Sequence, residues 1–266
     1  MEGIVARPRS RKAPQATRVS YTIMFTMALV ARLSAIAGVC GVALLAAAPA
    51  PSALGIHADL VDVALDPGHS SWDVGATSGG LREFELTLDV ARRAQARIEA
   101  AGHTVRLTRD GTQRVAAALP SDLTCAVESE QRARHTASAP AHIYVSIHFN
   151  GHPDASLRGT ETYYNSENFG DASLRLARLL HDETLGAIRE IDASARDRGV
   201  KEDLLAGKPY GHFFSLRGPF PSALVEVLFL SNPLDATLAG DEAVRDRVAD
   251  GVSRGIARYL AEEERS

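Results

Sequence analysis

Short apolar runs rich in β-branched residues alternate with amphipathic helical patterns along most of this 266-residue chain. The patterns predict strands at 61–66, 103–109, 141–150, 159–165 and 222–230, and helices at 83–102, 128–138, 173–188 and 244–260. The runs at 141–150 and 222–230 are almost continuously apolar, which is typical of strands in a buried parallel sheet. This alternation predicts a three-layer α/β domain with a mostly parallel central sheet flanked by helices.

The first 53 residues differ in composition from the rest of the chain. Residues 1–32 are basic and rich in Ser and Thr, Leu33–Ala48 carries no charge, and small residues and prolines follow. This order predicts a secretory signal peptide at 1–53 with a long basic n-region, and a single domain at 54–266. The uncharged stretch is shorter than the ~20 residues that cross a membrane, so a retained anchor is the less favoured alternative. We therefore expect export to the periplasm, the cell wall or the medium.

The charge of the predicted domain excludes one class of partner. The chain has 29 basic and 33 acidic residues, but six basic residues and one acidic residue precede Asp59, so the remainder has a net charge of −9. A domain this acidic lacks the general attraction for phosphates that nucleic-acid binding needs. Cys125 is the one cysteine after the predicted signal peptide, so the domain cannot form an internal disulfide.

Four polar residues lie close to the ends of these predicted elements. His69 follows the first strand, His148 lies at the end of the third, and Glu226 lies within the last. Glu83 begins the helix that follows a Gly-rich loop. Binding sites in open α/β sheets form outside the carboxyl ends of the strands, so these residues can converge. Two imidazoles and one carboxylate leave the fourth position of a zinc ion open for water, and a second carboxylate can act as the base.

Each of these residues, taken singly, also has an ordinary structural interpretation. A histidine after a strand is more often a turn or core residue, and Glu83 could simply interact with the helix dipole. Glu226 is harder to explain in this way, because a carboxylate within the apolar run LVEVLFL is costly to bury unless it is paired or functional. The agreement among the four positions favours a hydrolytic metal site.

The order of the motifs resembles that of zinc-dependent N-acetylmuramoyl-L-alanine amidases of bacterial cell walls. The resemblance extends from about Val61 to Leu260. It rests on four motifs in order: DPGH at 66–69, Glu83 on the following helix, SIHFN at 146–150 and LVEVLFLSN at 224–232. The resemblance implies a phosphorylase/hydrolase-like fold similar to that of zinc exopeptidases.

The resemblance also implies a ligand set and a reaction. The residues that match the family's zinc ligands are His69, Glu83 and His148, and the one that matches its catalytic carboxylate is Glu226. The implied reaction is hydrolysis of the amide between the lactyl group of N-acetylmuramic acid and L-alanine of the peptidoglycan stem peptide. We assign substrate binding to Asn150.

The chain departs from the usual family pattern at two positions. Ser70 follows DPGH where the family usually has glycine, and Leu228 stands where a small residue is usual. We expect Leu228 to narrow the floor of the cleft. Glu85 is the rival metal ligand, but residues two apart on a helix point about 200° apart, so only one of the two carboxylates can face the metal. The resemblance favours Glu83.

The sequence is also compatible with two other functions. A secreted zinc exopeptidase or carboxypeptidase would need a cation for a terminal carboxylate, and Arg217 or Arg132 could serve; in the amidase, Arg217 is assigned to substrate binding. A non-catalytic peptidoglycan-binding module is the second alternative, although the intact Glu226 argues against it. The remaining histidines are interpreted as non-ligands, and His212 is the least firmly excluded of them.

The expected partner is peptidoglycan, and we expect a monomer that needs no activator protein. Some members of the family carry a long helical insertion that covers the zinc until an activator removes it. The segment SENFGDA at 166–172 is too short to hold such a helix. The competing hypothesis is that residues 110–127 fold over the site as a lid.

Overall fold

The computed structural model describes residues 59–119, 121, 123–205 and 213–265. The predicted signal peptide at 1–53 and His212 lie outside these residues, so the division of the chain at residue 53 stays a prediction. Nowhere in the described ranges is there a helix of the length and apolar character that a membrane span requires.

Strands and helices alternate along the described residues. The strands are β1 (Val61–Pro67), β2 (Thr77–Ser78), β3 (Leu81–Arg82), β4 (Val105–Leu107), β5 (Ala141–Asn150), β6 (Thr160–Tyr164), β7 (Asp197–Glu202) and β8 (Ser222–Phe229). The α-helices are α1 (Glu83–Ala100), α2 (Leu123–Ser138), α3 (Gly170–Arg189), α4 (Pro233–Gly240) and α5 (Glu242–Glu263). Short 3-10 helices occupy Asp203–Leu205 and Phe214–Arg217. All the strands and helices predicted from the sequence are present, with bounds that differ by a few residues.

The central sheet has the strand order β4-β1-β5-β8-β6-β7. Strands β4, β1, β5 and β8 are parallel to one another, whereas β6 pairs antiparallel with β8 and parallel with β7. The prediction of a mostly parallel sheet is therefore confirmed. Because β1, β5 and β8 are neighbours that run in the same direction, their carboxyl ends meet at one edge of the sheet.

The side chains of β1 alternate between two layers of the core. Val63 and Leu65 belong to the main core, which helices α1, α3 and α5 complete. Ala64 faces the other side of the sheet and packs with Tyr144 and Phe220. Helix α2 covers this second side, since the His135 ring packs edge-on against Tyr144 and Phe220. Helices thus cover both faces of the sheet, as the three-layer prediction requires.

Two elements differ in extent from the sequence prediction. The strand expected at 103–109 is limited to β4, and the side chains of Thr108 and Arg109 beyond it bind Asp66 and the carbonyl of Pro67. Helix α2 begins at Leu123 rather than at residue 128.

Helix α4 and strand β7 are among the elements that the sequence prediction missed. Helix α4 begins with Asn232 as its N-cap, whose side chain accepts hydrogen bonds from the amides of Leu234 and Asp235, and Pro233 follows directly. Both are ordinary helix-start signals. Strand β7 has the sequence DRGVKE, which lacks an apolar alternation because it forms the outer edge of the sheet.

Candidate metal centre and cleft

Three of the predicted site residues meet at the carboxyl edge of the sheet. His69 follows β1, His148 lies near the end of β5, and Glu83 is the first residue of α1. One oxygen of Glu83, Oε1, lies 3.0 Å from Nδ1 of His148 and 3.3 Å from Nε2 of His69. One ligand atom from each of the three residues lies within 4.8 Å of the other two. The arrangement therefore offers two imidazole nitrogens and a carboxylate oxygen to one metal ion.

The backbone fixes the carboxylate of Glu83 in this position. The amide of Ala76 donates to Oε2 at 2.7 Å, and the amide of Phe149 donates to Oε1 at 3.0 Å. The side chain is buried, which opposes its charge, but the two histidines hold the pKa of Glu83 well below its usual range. Each carboxylate oxygen thus has a backbone partner, so the side chain is oriented before any metal binds.

Asp73 orients the ring of His69 through the ring nitrogen that does not face Glu83. Nδ1 lies 2.9 Å from Oδ2 of Asp73, which leaves Nε2 facing Glu83. Burial disfavours the charged imidazole, but Glu83 and Asp73 outweigh this effect and raise the pKa of His69 to about 10. Burial lowers the pKa of His148. A carboxylate behind a metal-binding histidine fixes the tautomer and the ring orientation, and Asp73 is placed for this role.

At two positions near His69, Glu83 and His148, only glycine leaves enough room for the neighbouring side chain. A Cβ atom on Gly68 would lie 2.3 Å from Cε1 of the His148 ring. A Cβ atom on Gly75 would lie 2.3 Å from Oε2 of Glu83 and 2.7 Å from Cδ2 of His69, and its φ of +69° also favours glycine. His69 itself has a φ of +59°, a conformation that non-glycine residues rarely adopt outside turns and functional sites.

A buried ion pair lies beneath the loop that carries His69. Asp66, at the end of β1, is fully buried and accepts a hydrogen bond of 2.5 Å from Nη1 of Arg134 on α2. Its carboxylate also accepts from Thr108 at 2.6 Å and from Ser146 at 2.7 Å. Burial opposes the charge of Asp66, but Arg134 and these hydroxyls hold its pKa well below the usual range.

Two arginines bind the carbonyl oxygens of the same loop. Arg134 donates to the carbonyls of Pro67 at 2.9 Å and His69 at 2.7 Å. Arg109 donates to the carbonyls of Pro67 at 3.1 Å and Gly68 at 3.0 Å. Backbone oxygens that face inward need such partners, and here the charged side chains determine the shape of the loop.

Glu226 lies in a cleft of about 220 Å³ that His69 and His148 also line. It is opposite His148 in the register of β5 and β8, and its side chain is largely buried. His69, His148 and Glu226 line the cleft together with residues of α2 and Phe213–Ser215. His69, Glu83, His148 and Glu226 therefore converge at the carboxyl edge of the sheet, as its topology led us to expect.

The other sequence-predicted residues have different positions. Glu85 points away from the cluster and forms an ion pair with Arg82 on the exposed side of α1. Asn150 donates to Glu161 at 2.7 Å rather than lining the cleft. Arg217 lines a neighbouring depression with Arg132, and this depression shares Gln131 and Phe214 with the cleft.

The expectation for Leu228 is wrong. Its side chain is completely buried in the main core of the domain, so it does not narrow the floor of the cleft. Ser70, the other departure from the family pattern, is buried at the cleft, and its hydroxyl accepts from the amide of Trp72 at 3.3 Å.

Sequence reasoning missed the residues that support the ligands. Asp73 lies in a loop whose sequence gives no periodic signal, and Arg134 is one of many charged residues on a helix. Asp66 could have been found, since a carboxylate that ends a buried strand needs a partner. Its partners come from distant segments that only the fold brings together.

The fold and the site define a metal-dependent hydrolase domain of the α/β class. A family profile described as N-acetylmuramoyl-L-alanine amidase matches residues 63–258. The chain therefore belongs to the N-acetylmuramoyl-L-alanine amidase family, and the resemblance drawn from its motifs is confirmed.

Individual relatives agree with this assignment. The germination-specific N-acetylmuramoyl-L-alanine amidase of Bacillus subtilis is 31% identical over 207 residues, which cover 75% of this chain and 79% of that protein. AmiC of Neisseria meningitidis is 30% identical, with coverage of 74% of this chain and 52% of AmiC. Among solved structures, the catalytic domain of CwlV from Bacillus (Paenibacillus) polymyxa var. colistinus has 27% identity and a TM-score of 0.60. That match covers 76% of this chain and 98% of the CwlV domain.

The contacts of Gly75 lead to a prediction about metal affinity. Gly75→Ala places a methyl group against Glu83 and His69, so we expect divalent metal to bind at least about tenfold more weakly, as when a supporting group is lost. Gly79→Ala is the matched control, because Gly79 also has a positive φ, of +54°, but has no atom within 4 Å of the added Cβ. Calorimetric titration with zinc measures both variants. Equal affinities would contradict the assigned role of Gly75.

The buried pair leads to a prediction about stability. Arg134→Met leaves the charge of Asp66 buried without its cation, so we expect unfolding to require about 3–5 kcal/mol less free energy. Arg132→Met is the control, because Arg132 is exposed and pairs at the surface with Glu128, where about 0.5 kcal/mol is typical. Urea denaturation of metal-free protein measures both. A loss below about 1 kcal/mol in Arg134→Met would show that the pair does not support the fold.

Proposed function

We propose that this member of the amidase family uses zinc to hydrolyse the amide between the lactyl group of N-acetylmuramic acid and L-alanine of peptidoglycan. The observation that carries the proposal is that Glu226 lines one cleft with His69 and His148, whose ring nitrogens converge with a carboxylate oxygen of Glu83. Family membership supplies the bond that is cleaved, and the donor set supports the metal.

The residues fit zinc as the metal. Two imidazole nitrogens and one carboxylate oxygen are a usual ligand set for hydrolytic zinc, in which a fourth position stays open. The carboxylate of Asp73 behind His69 and the backbone amides on Glu83 are the supporting contacts that such a site needs. When bound, zinc would lower the pKa of a water molecule and polarise the carbonyl of the scissile amide.

Glu226 is proposed as the general base and acid. Its carboxylate lies in the cleft beside His148, where it can accept the proton of the attacking water and return it to the nitrogen of the leaving L-alanine. The strand that carries Glu226 is buried along its whole length, which fixes the position of this side chain.

We further propose that Asn150 and Arg217 contribute to substrate binding. Asn150 is held by Glu161 at the end of β5, two residues beyond His148. Arg217 lines the depression that continues from the cleft through Gln131 and Phe214. A peptidoglycan strand is longer than the cleft, so contacts beyond the cleft would help to orient it.

We propose that the chain acts as an exported monomer that needs no activator. Strand β6 ends at Tyr164 and α3 begins at Gly170, so their connection is even shorter than the sequence suggested and has no room for a covering helix. The hypothesis of a lid at 110–127 stays a prediction. In that segment the amides of Val115 and Ala116 each donate to Glu130 at 2.8 Å, which ties them to α2.

Digestion of purified peptidoglycan by the chain alone tests the function. We expect mass spectrometry to find equal amounts of free lactyl carboxyl groups and free L-alanine amino groups, with zinc added and no other protein. A carboxypeptidase would instead release a residue from the end of the stem peptide, and a binding module would release neither product. Either result would contradict the proposal.

The role of Glu226 leads to a separate prediction. Glu226→Gln keeps the size of the side chain but cannot accept a proton, so we expect a loss in turnover of roughly 10²-fold or more while zinc stays bound. Glu85→Gln, on the outer side of α1, is the control and should retain normal turnover. Peptidoglycan digestion and metal analysis are measured on both variants. Normal turnover of Glu226→Gln would mean that another group is the base.

A further inference from the structure

A second buried carboxylate lies directly beside Glu226. Glu161 on β6 is the residue opposite Glu226 in the antiparallel register of β6 and β8, and its side chain is almost completely buried. Residues that face each other in such a pair point to the same side of the sheet. Glu161 therefore lies next to the proposed catalytic base.

Four side chains donate hydrogen bonds to Glu161. Oε1 accepts from the amide of Asn150 and the hydroxyl of Tyr163, both at 2.7 Å. Oε2 accepts from Nε of Arg198 at 2.6 Å and Nζ of Lys201 at 2.5 Å. Two cations thus share one oxygen of one carboxylate.

Arg198 and Lys201 each have N–H donors that do not bind Glu161. A guanidinium has five N–H donors and an ammonium has three, and each group uses one of them on Glu161. Within the described residues, the structure records no other hydrogen bond for either side chain. Both remain partly open to solvent, with 25% of Arg198 and 35% of Lys201 exposed.

Aromatic rings hold both cations in place. The guanidinium of Arg198 lies 4.9 Å from the centre of the Phe229 ring, and the ammonium of Lys201 lies 5.7 Å from that of Tyr163. The Tyr163 ring packs at 4.9 Å against Phe213, which lines the cleft. A continuous set of contacts therefore leads from the cleft to the cations.

We propose that Arg198 and Lys201 form a subsite that binds a carboxylate group of the stem peptide, with Glu161 as the residue that positions them. The inference rests on the proposed amidase function and adds a preference for acidic peptides. A carboxylate that enters beside the cleft can accept charge-assisted hydrogen bonds from both cations, which Glu161 and the rings have already oriented. Because both donors are cationic, a carboxylate forms stronger hydrogen bonds with them than a neutral amide does.

The test compares two soluble muropeptides that differ only in their carboxyl groups, free in one and converted into amides in the other. We expect the wild-type chain to have a KM about tenfold lower for the acidic muropeptide, as the loss of one charge-assisted hydrogen bond would predict. Arg198→Gln and Lys201→Gln should remove this preference by raising the KM for the acidic probe, with similar kcat and an unchanged KM for the amidated probe.

Two further variants separate this subsite from general effects of charge and folding. Lys201→Arg keeps the charge and should keep the preference. Arg254→Gln removes the same charge from an ion pair with Glu183 on the α3–α5 side of the domain, and it should leave both KM values unchanged. The zinc content and thermal unfolding of each variant are measured in parallel.

The kinetic results distinguish a failure of the subsite from a failure of the amidase function. Equal KM values for the two probes in the wild-type chain would overturn the subsite while leaving the amidase function intact. Equal losses on both probes in the Gln variants would also overturn it, because they indicate a structural role alone. If the wild-type chain turned over neither muropeptide, the amidase function itself would be contradicted, and the subsite with it.

Discussion

The buried ion pair between Asp66 and Arg134 is the contact on which the rest of the site depends. Two charges inside a protein are costly to desolvate, and this cost is offset only when each has close partners. The hydroxyls of Thr108 and Ser146 also donate to Asp66. Through these contacts and the ion pair, Asp66 links β1 to β5, to α2 and to the residue after β4. Arg134 also binds the carbonyl of His69, so the same side chain that completes the buried pair also holds the loop that carries His69.

Between this ion pair and the cleft, further charged side chains contact the residues of the site. Glu83 bridges the two histidines, Asp73 orients one of them, and Glu161 holds two cations beside Glu226. Glu83 and Glu161 are buried carboxylates that several donors hold, so their positions do not rely on a flexible side chain. The site is thus organised before substrate or metal arrives, which is what electrostatic catalysis requires.

The architecture, and the convergence of His69, His148 and Glu226 at one edge of the sheet, could be predicted from the sequence because both depend on local signals. Apolar periodicity marks strands such as β5 and β8, and the ends of parallel strands bring His69, His148 and Glu226 together. The supporting residues could not be predicted in this way. Arg134 on α2 and Glu161 on β6 have meaning only through partners far away in the chain, and the outer strand β7 carries no apolar pattern.

Zinc K-edge X-ray absorption of the zinc-loaded chain tests the central claim most directly, because it reads the ligands of the metal without depending on activity. The account predicts nitrogen and oxygen ligands at about 2.0–2.2 Å, with the outer scattering of two imidazole rings from His69 and His148. A sulfur ligand at about 2.3 Å, or the absence of imidazole scattering, would contradict the assignment of these residues as the metal centre.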